Sequence, residues 1–185
     1  MKIKWFVIVL LLIAGSVTSF NLLSGNKYSA LAPYTKKLPF AVYVPGYIPA
    51  EFSFQKEETV ALNRSTNIGI PQFNLLYLRK NSGDAFAFRQ FDRTRYQKDI
   101  LDPERIPDFN SYFKNRLNIA PTISDGKEIY VSVSEEKKRT VFGDWEYIAT
   151  GYFLRDDSLI QINYSGTEPI TREEIVKIIL SFKPF

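Results

Sequence analysis

TREEIVKIILSF, residues 171–182, predicts the element that decides the fold of this chain. Thr171 and Glu174 have the spacing of a capping box, in which side chains satisfy free backbone amides at a helix start. Apolar residues then recur at helical spacing: Ile175, Ile178, Ile179 and Phe182. A helix with one apolar stripe packs that stripe against another layer. The sequence therefore predicts a helix from Thr171 to Phe182, ended by Pro184, that covers a sheet.

The sheet is predicted from the residues that precede this helix. From Phe40 onward, short apolar or alternating runs are separated by turn residues, the pattern of an antiparallel sheet. In EIYVSVS, residues 128–134, alternate residues fall on the same face because a strand has a two-residue period. The predicted strands span residues 40–44, 52–62, 73–78, 85–91, 128–133, 145–154 and 159–164, with a hairpin turn at residues 155–158.

A second, shorter helix is predicted from Pro107 to Leu117, with Phe109 and Phe113 on its apolar side. We expect it to cover one edge or end of the sheet. The predicted fold class is α+β: an antiparallel β-sheet packed against a C-terminal amphipathic helix, with a second short helix and an N-terminal membrane or export segment.

Composition narrows the possible functions. The 185 residues are 45% hydrophobic and 24% charged, which suits one globular domain with a real core. Because the chain contains neither cysteine nor histidine, it lacks thiol nucleophiles, imidazole metal ligands, disulfides and Ser-His-Asp triads. We therefore predict no catalytic residue, no metal site and no cofactor. The net charge of +4 suits an anionic surface without choosing among lipid, wall polymer and nucleic acid.

The amino terminus, MKIKWFVIVLLLIAGSVTSF, predicts export. Lys2 and Lys4 precede an apolar run, and small residues follow it. Residues 1–23 suit either a signal peptide cleaved before Phe20 or a retained transmembrane anchor. The predicted membrane-contacting residues are Trp5, Phe6, Leu10, Leu11, Leu12 and Ile13. Residues 24–37 are predicted as a linker and residues 38–185 as one extracytoplasmic domain, either membrane-anchored or secreted.

Three sets of side chains are candidates for function. Tyr130, Tyr147 and Tyr152 are predicted to line a shallow cleft for a peptide, glycan or lipid. The acids in DILDPERIPD, residues 99–108, leave open an exported carboxylate-dependent hydrolase acting on wall or glycan material. FAFRQF, residues 86–91, resembles an RNA-recognition strand, but core aromatics are the simpler interpretation, so no nucleic-acid partner is expected.

Four stretches resemble a family of extracytoplasmic domains of unknown function, the DUF4367 type. They are FAVYVPGYIPAEFSF (40–54), FNLLYLRKNSGDAFAFRQF (73–91), DWEYIATGYFLRDDSLIQINYSG (144–166) and TREEIVKIILSFKP (171–184). The turn Tyr47-Ile48-Pro49, Trp145 in a late hairpin, and Ser181 with Phe182 match the family's pattern. Glu51 stands where the family usually has glycine, so a turn that needs a positive φ would be strained there.

The resemblance implies a module that binds or senses something outside the cell. Such domains occur on membrane-tethered bacterial proteins, including some anti-sigma factors, and bring no established catalytic residues. Combined with the export segment, this predicts a noncatalytic binding or sensory module. Its expected partners are the membrane, through the N-terminal segment, and a protein or wall polymer.

Overall fold

The computed structural model describes residues 28–55, 60–62, 70–101, 108–124, 126–140 and 144–185. The chain divides into two units, residues 1–33 and 34–185. A 3-10 turn at Ser29–Leu31 leads into a short helix, α1 (Ala32–Thr35), within which the division falls. The predicted membrane segment lies outside the described residues. None of the helices in the described ranges is long and apolar enough to cross a membrane.

The second unit is built mainly from strands. The described strands are β1 (Tyr43–Pro45), β2 (Phe52–Phe54), β3 (Val60–Leu62), β4 (Gln72–Arg79), β5 (Ala85–Asp92), β6 (Pro121–Ser124), β7 (Lys127–Val133), β8 (Lys138–Arg139), β9 (Trp145–Arg155), β10 (Ser158–Gly166) and β11 (Phe182–Pro184). The helices are α2 (Arg93–Asp99), α3 (Phe109–Ser111), which continues as a π-helical turn at Tyr112–Arg116, and α4 (Arg172–Leu180).

The strands form a large antiparallel sheet and a small separate one. The large sheet has the order β2-β4-β5-β10-β9-β7-β6, with β3 also paired to β4 and β8 to β9, and β1 pairs with β11. An α+β fold based on an antiparallel sheet, as predicted, is therefore confirmed. The hairpin turn at residues 155–158 is also confirmed, since β9 ends at Arg155 and β10 begins at Ser158.

Residues that alternate along the strands divide the large sheet into two faces. On one face, which we call the helix face, buried residues stand opposite one another on neighbouring strands: Leu75, Phe88, Ile162, Gly151 and Val131 form one row across five strands. Helix α4 packs on this face through Ile175, Ile178 and Ile179, which are all buried. A Cβ at Gly151 would lie 3.1 Å from side-chain atoms of both Ile175 and Ile179, so this glycine lets the helix approach closely.

The predicted end of the last helix is wrong. The N-cap is confirmed, because Oγ1 of Thr171 accepts a hydrogen bond from the Glu174 amide at 3.1 Å. The helix ends at Leu180, however, and Phe182 belongs to β11, where it pairs with Pro45. The physical reason is burial: leaving the helix places the Phe182 ring 5.5 Å from that of Phe88 and 5.3 Å from that of Phe153. Pro184 accordingly lies in a strand and does not end the helix.

A buried amide attaches the small sheet to the helix face. Gln90 is completely buried on β5 and bonds the backbone of Tyr43 on β1 in both directions. Its Oε1 accepts from the Tyr43 amide at 2.9 Å, and its Nε2 donates to the Tyr43 carbonyl at 2.6 Å. In the sequence, Gln90 is only a polar residue within an apolar strand. In the structure, its side chain satisfies the hydrogen-bonding groups of the Tyr43 backbone on β1, which lies over the sheet.

The opposite face, which we call the cap face, is covered at one end by residues 93–101 and 108–119. Aromatic side chains from α2, α3 and the π-helical turn pack on Phe91, Tyr130 and Leu159 of the sheet. The predicted helix from Pro107 to Leu117 is thus observed only as the short α3 and the π-helical turn, and residue 107 lies outside the described ranges. Helix α2 and strands β6, β8 and β11 were not predicted, because each is short or lacks a clear hydrophobic period.

Candidate functional site

A cleft of about 390 Å³ opens where the β1–β2 connection meets the start of α4. Its walls are the connection from Tyr47 to Phe52 on one side and Pro169 to Glu174 on the other. Arg79, at the end of β4, and Tyr164, on β10, complete the lining. The stretch containing both Pro45-Gly46 and Pro49 therefore forms one wall of this cleft.

Hydrogen bonds to the end of α4 fix the course of that wall. The Gly46 amide donates to the Ser181 carbonyl at 2.9 Å, and the Tyr47 amide donates to Ser181 Oγ at 3.0 Å. A Cβ at Gly46 would lie 2.7 Å from the Ser181 carbonyl oxygen, which is too close for any side chain. Glycine is therefore required at this position because two backbone segments meet there.

The expected strain at Glu51 is not found. Among the described residues, the non-glycine residues with positive φ are Asn81, Asn118 and Asp156, so the Glu51 backbone lies in an ordinary region. The turn follows instead from Pro49, whose carbonyl accepts from the Phe52 amide at 3.0 Å. Glu51 lines the cleft, where its carboxylate contacts Arg79.

Arg79 forms the floor of the cleft and contacts three carboxylates. Nη1 lies 3.0 Å from Oδ2 of the buried Asp84, and Nη2 lies 3.2 Å from Oε1 of Glu51. The third carboxylate, that of Glu168, also accepts from Nη1. The guanidinium carbon lies 5.0 Å from the centre of the Phe52 ring, so an aromatic face supports the cation. Arg79 is only 18% exposed, whereas Glu168 is 66% exposed.

The burial of this cluster affects its ionisation. Burial alone would lower the pKa of Arg79, but the bonded carboxylate of Glu168 and the nearby Asp84 outweigh burial and raise the pKa. Burial, followed by the charge of Asp84, raises the pKa of the neighbouring Tyr164 to about 12. At neutral pH the floor of the cleft therefore holds a permanent cation and a neutral phenol.

A second group of bonds joins the two walls of the cleft. The Tyr47 hydroxyl donates to Oε1 of Glu174 at 2.6 Å. Nζ of Lys177, one turn further along α4, lies 3.8 Å from the centre of the Tyr47 ring. This tyrosine thus contacts a carboxylate through its hydroxyl and an ammonium group through its ring. Glu174 uses its side chain here and not for the return bond of a capping box.

Carboxylates outnumber cations around the cleft. Asp84, Glu51, Glu168 and Glu174 are countered by Arg79 and, at the outer edge, by Lys177. The local field is therefore negative and attracts cations. No group of three or more such ligands is placed to hold a metal ion anywhere in the described ranges.

The structure separates the three tyrosines that the sequence predicted as ligand-binding. Tyr130 and Tyr152 are opposite one another on β7 and β9, and their rings lie 4.6 and 4.9 Å from that of Phe113. They belong to the aromatic cluster beneath the cap. Tyr147 lies five residues before Tyr152 on β9, and an odd separation along a strand places two side chains on opposite faces. Tyr147 therefore lies on the helix face, beside Lys137. The three do not line a common cleft.

Of the acids predicted between residues 99 and 108, Asp108 has a structural role, and two acids of the β9–β10 turn have comparable ones. The Asp108 carboxylate accepts from the Ser111 amide at 2.8 Å and so caps α3. Asp156 and Asp157 form the β9–β10 turn, where Asp156 accepts from the Tyr43 hydroxyl and Asp157 from the Ala41 amide. Asp99 is exposed at the end of α2, and residues 102–107 lie outside the described ranges.

Phe86 and Phe88, two of the three aromatic residues of the RNA-like strand, are completely buried on the helix face, and the third, Phe91, is buried beneath the cap. The rings of Phe86 and Phe88 lie against Tyr164 and Phe182, so no base can stack on them in this structure. The alternation of FAFRQF therefore reflects core packing, as the simpler interpretation predicted.

Sequence reasoning missed Arg79, Asp84 and Glu168 as members of one site. Each stands in or beside a turn, where charged residues are common and carry no periodic signal. Only the Tyr47-Ile48-Pro49 turn and Glu51 drew attention to this region, through the resemblance to DUF4367-type domains. The chain matches no known family model, and no curated protein shows significant similarity to it.

Proposed function

We propose that this chain is a noncatalytic, extracytoplasmic and membrane-tethered binding or sensory module of the DUF4367 type, whose cleft recognises a cationic group. The observation that carries the proposal is the excess of carboxylates around Arg79. Glu51 and Glu168 reach the solvent, while Arg79 is already countered by the buried Asp84. An ammonium or guanidinium group on a protein or wall polymer would complement that charge.

The way the side chains are held favours recognition over catalysis. A general base must be free to accept a proton from substrate. Within the described cleft, Glu51 and Glu168 bond Arg79, and Glu174 accepts from Tyr47. Groups held in this way are preorganised for a ligand, which lowers the entropy that binding must overcome.

The placement outside the cell is supported by the sequence of residues 1–23, with its two lysines and apolar run. Fusing a reporter enzyme after Phe185 tests this part of the proposal. We expect activity from a reporter that works only outside the cytoplasm. Activity from a reporter that works only in the cytoplasm would overturn it.

Binding is tested with trilysine as the probe, titrated into the full chain in detergent and followed by NMR chemical shifts. We expect saturable shifts at Tyr47, Glu51 and Thr171. The double variant Glu51→Gln/Glu168→Gln should weaken binding, about two- to fivefold for each carboxylate removed. Glu135→Gln is the matched control, because it removes an exposed carboxylate at the β7–β8 bend. Shifts that do not saturate, or an equal loss in the control, would contradict a cationic ligand in this cleft.

A further inference from the structure

The β8–β9 hairpin presents a second surface, whose residues are not among those that line the cleft. Lys138 pairs with Glu146, and Arg139 pairs with Trp145. The Thr140 amide donates to the Asp144 carbonyl at 2.7 Å and closes the hairpin. Residues directly opposite one another share a face, so this register sorts the side chains of the hairpin into two sets.

One face of the hairpin combines aromatic rings with cations. Trp145 is 62% exposed, and its cross-strand partner Arg139 is also exposed. Tyr147 lies two residues further along β9 and therefore on the same face. Nζ of Lys137 lies 5.7 Å from the centre of the Tyr147 ring, which places this lysine there as well. Two aromatic side chains and two cations thus form one surface.

The carboxylate nearest to Trp145 in β9 points the other way. Glu146 is opposite Lys138, and its carboxylate accepts from the Ser165 hydroxyl on β10. Three further exposed acids, Glu135, Glu136 and Asp144, stand at the ends of the hairpin. Together with Glu146 they outnumber the three cations at residues 137–139, so positive charge is confined to the face that carries Lys137 and Arg139. We therefore expect any contact with an anionic surface to be weak unless the domain is held nearby.

We propose that Lys137, Arg139, Trp145 and Tyr147 dock the domain on the anionic headgroups of a lipid bilayer. Lysine and arginine are attracted to anionic headgroups, and tryptophan and tyrosine prefer the boundary between headgroups and acyl chains. A soluble anionic polymer would match the charges but would leave the exposed indole in water. The tether proposed above would raise the local concentration of this face at the membrane, so a weak contact would suffice.

The environment of Trp145 tests this proposal in the full chain. Of the two tryptophans, Trp5 is replaced by phenylalanine, which leaves Trp145 as the only indole. The chain is reconstituted into vesicles of phosphatidylcholine alone or with phosphatidylglycerol, with brominated lipid as quencher. We expect Trp145 to be quenched only with the anionic lipid, and less so in high salt, which screens charges. Arg139→Gln and Lys137→Gln should each lower the docked-to-free ratio about fivefold.

Two further measurements make the test specific. Lys80→Gln, at an exposed lysine in the β4–β5 turn, is the matched control and should leave quenching unchanged. Soluble polyphosphate should not alter Trp145 emission in detergent. Equal quenching in both kinds of vesicle, no quenching in either, or a response to polyphosphate alone would overturn docking on anionic lipid.

Discussion

The two faces of the sheet are covered in different ways. On the helix face, strands β1 and β11 and helix α4 bring aliphatic residues and aromatic rings onto regularly alternating strands, and the buried Gln90 of β5 bonds the backbone of β1. On the cap face, the short helical pieces of residues 93–101 and 108–119 cover only one end, with aromatic side chains such as Phe109 and Phe113. The covers differ because strands and a long helix can pack in register on a sheet. Short helical pieces cannot, so on the cap face large aromatic rings fill the gaps between cover and sheet.

The largest effect is expected on the cap face, from Phe113→Ala. Phe113 is fully buried and packs against Phe109, Tyr112, Tyr130 and Tyr152. Removing a buried phenylalanine ring should lower the free energy of unfolding by about 3–5 kcal/mol. Urea unfolding measures the loss. If aromatic packing stabilises the cover of the cap face, amide hydrogen exchange should increase more in residues 108–119 than in α4. An equal increase in both would contradict the proposed difference between the faces.

A somewhat smaller effect is expected on the helix face, from Gln90→Leu. The substitution keeps an apolar side chain of similar length but leaves the Tyr43 amide and carbonyl without their bonds to Gln90. Leaving these two buried backbone groups without hydrogen bonds should lower the free energy of unfolding by about 2–4 kcal/mol. Urea unfolding gives the magnitude, and hydrogen exchange at β1 and β11 should locate the loss. Gln161→Leu, at a half-buried polar position on the cap face, is the control and should cost less.

The smallest effect is expected at high pH, where one tyrosine from the helix-face cover, Tyr43, is compared with one from the cap face, Tyr130. Burial, followed by the bond to Asp156, raises the pKa of Tyr43 to about 12, and burial with the bond to Glu128 does the same for Tyr130. The unfolded chain releases these protons near its ordinary pKa of 10.0. Between pH about 10 and 12 the folded state therefore holds protons that the unfolded state has lost, and stability falls as pH rises.

Urea unfolding from pH 8 to 12 checks this behaviour. Tyr43→Phe and Tyr130→Phe should each make the alkaline decline shallower, because one raised pKa has been removed. Tyr147→Phe, which removes a tyrosine hydroxyl beside Lys137 and away from both of these residues, serves as the reference. A decline as steep in both variants as in the unmodified chain would show that other groups cause it.

The sequence predicted the helix face better than the cap face for a physical reason. Alternating residues such as Ile129 and Val131, and the stripe of Ile175, Ile178 and Ile179, repeat with the period of a strand or a helix and so reveal their element. Phe109 and Phe113 were assigned to one helix, but the structure divides them between the short α3 and a π-helical turn, for which no sequence period is known.

The cleft was harder to predict than either face. Arg79 and Glu168 are far apart in the chain and meet only because β4, β5 and β10 are neighbours in the sheet. A charged residue in a turn is usually hydrated and has no protein partner, so its presence in the sequence does not predict an ion pair. Glu51 was singled out for a strained backbone, and its importance instead lies in its bond to Arg79.

The pairing of β1 with β11 has a consequence for the order in which the chain can fold. Tyr43 pairs with Pro184, roughly 140 residues later, and closing a loop of that length costs about 4 kcal/mol of chain entropy. Strand β1 leaves the ribosome early, yet its hydrogen-bonding partner β11 emerges only after the whole large sheet. The helix face therefore stays partly uncovered during synthesis, and this pairing belongs among the last steps of folding.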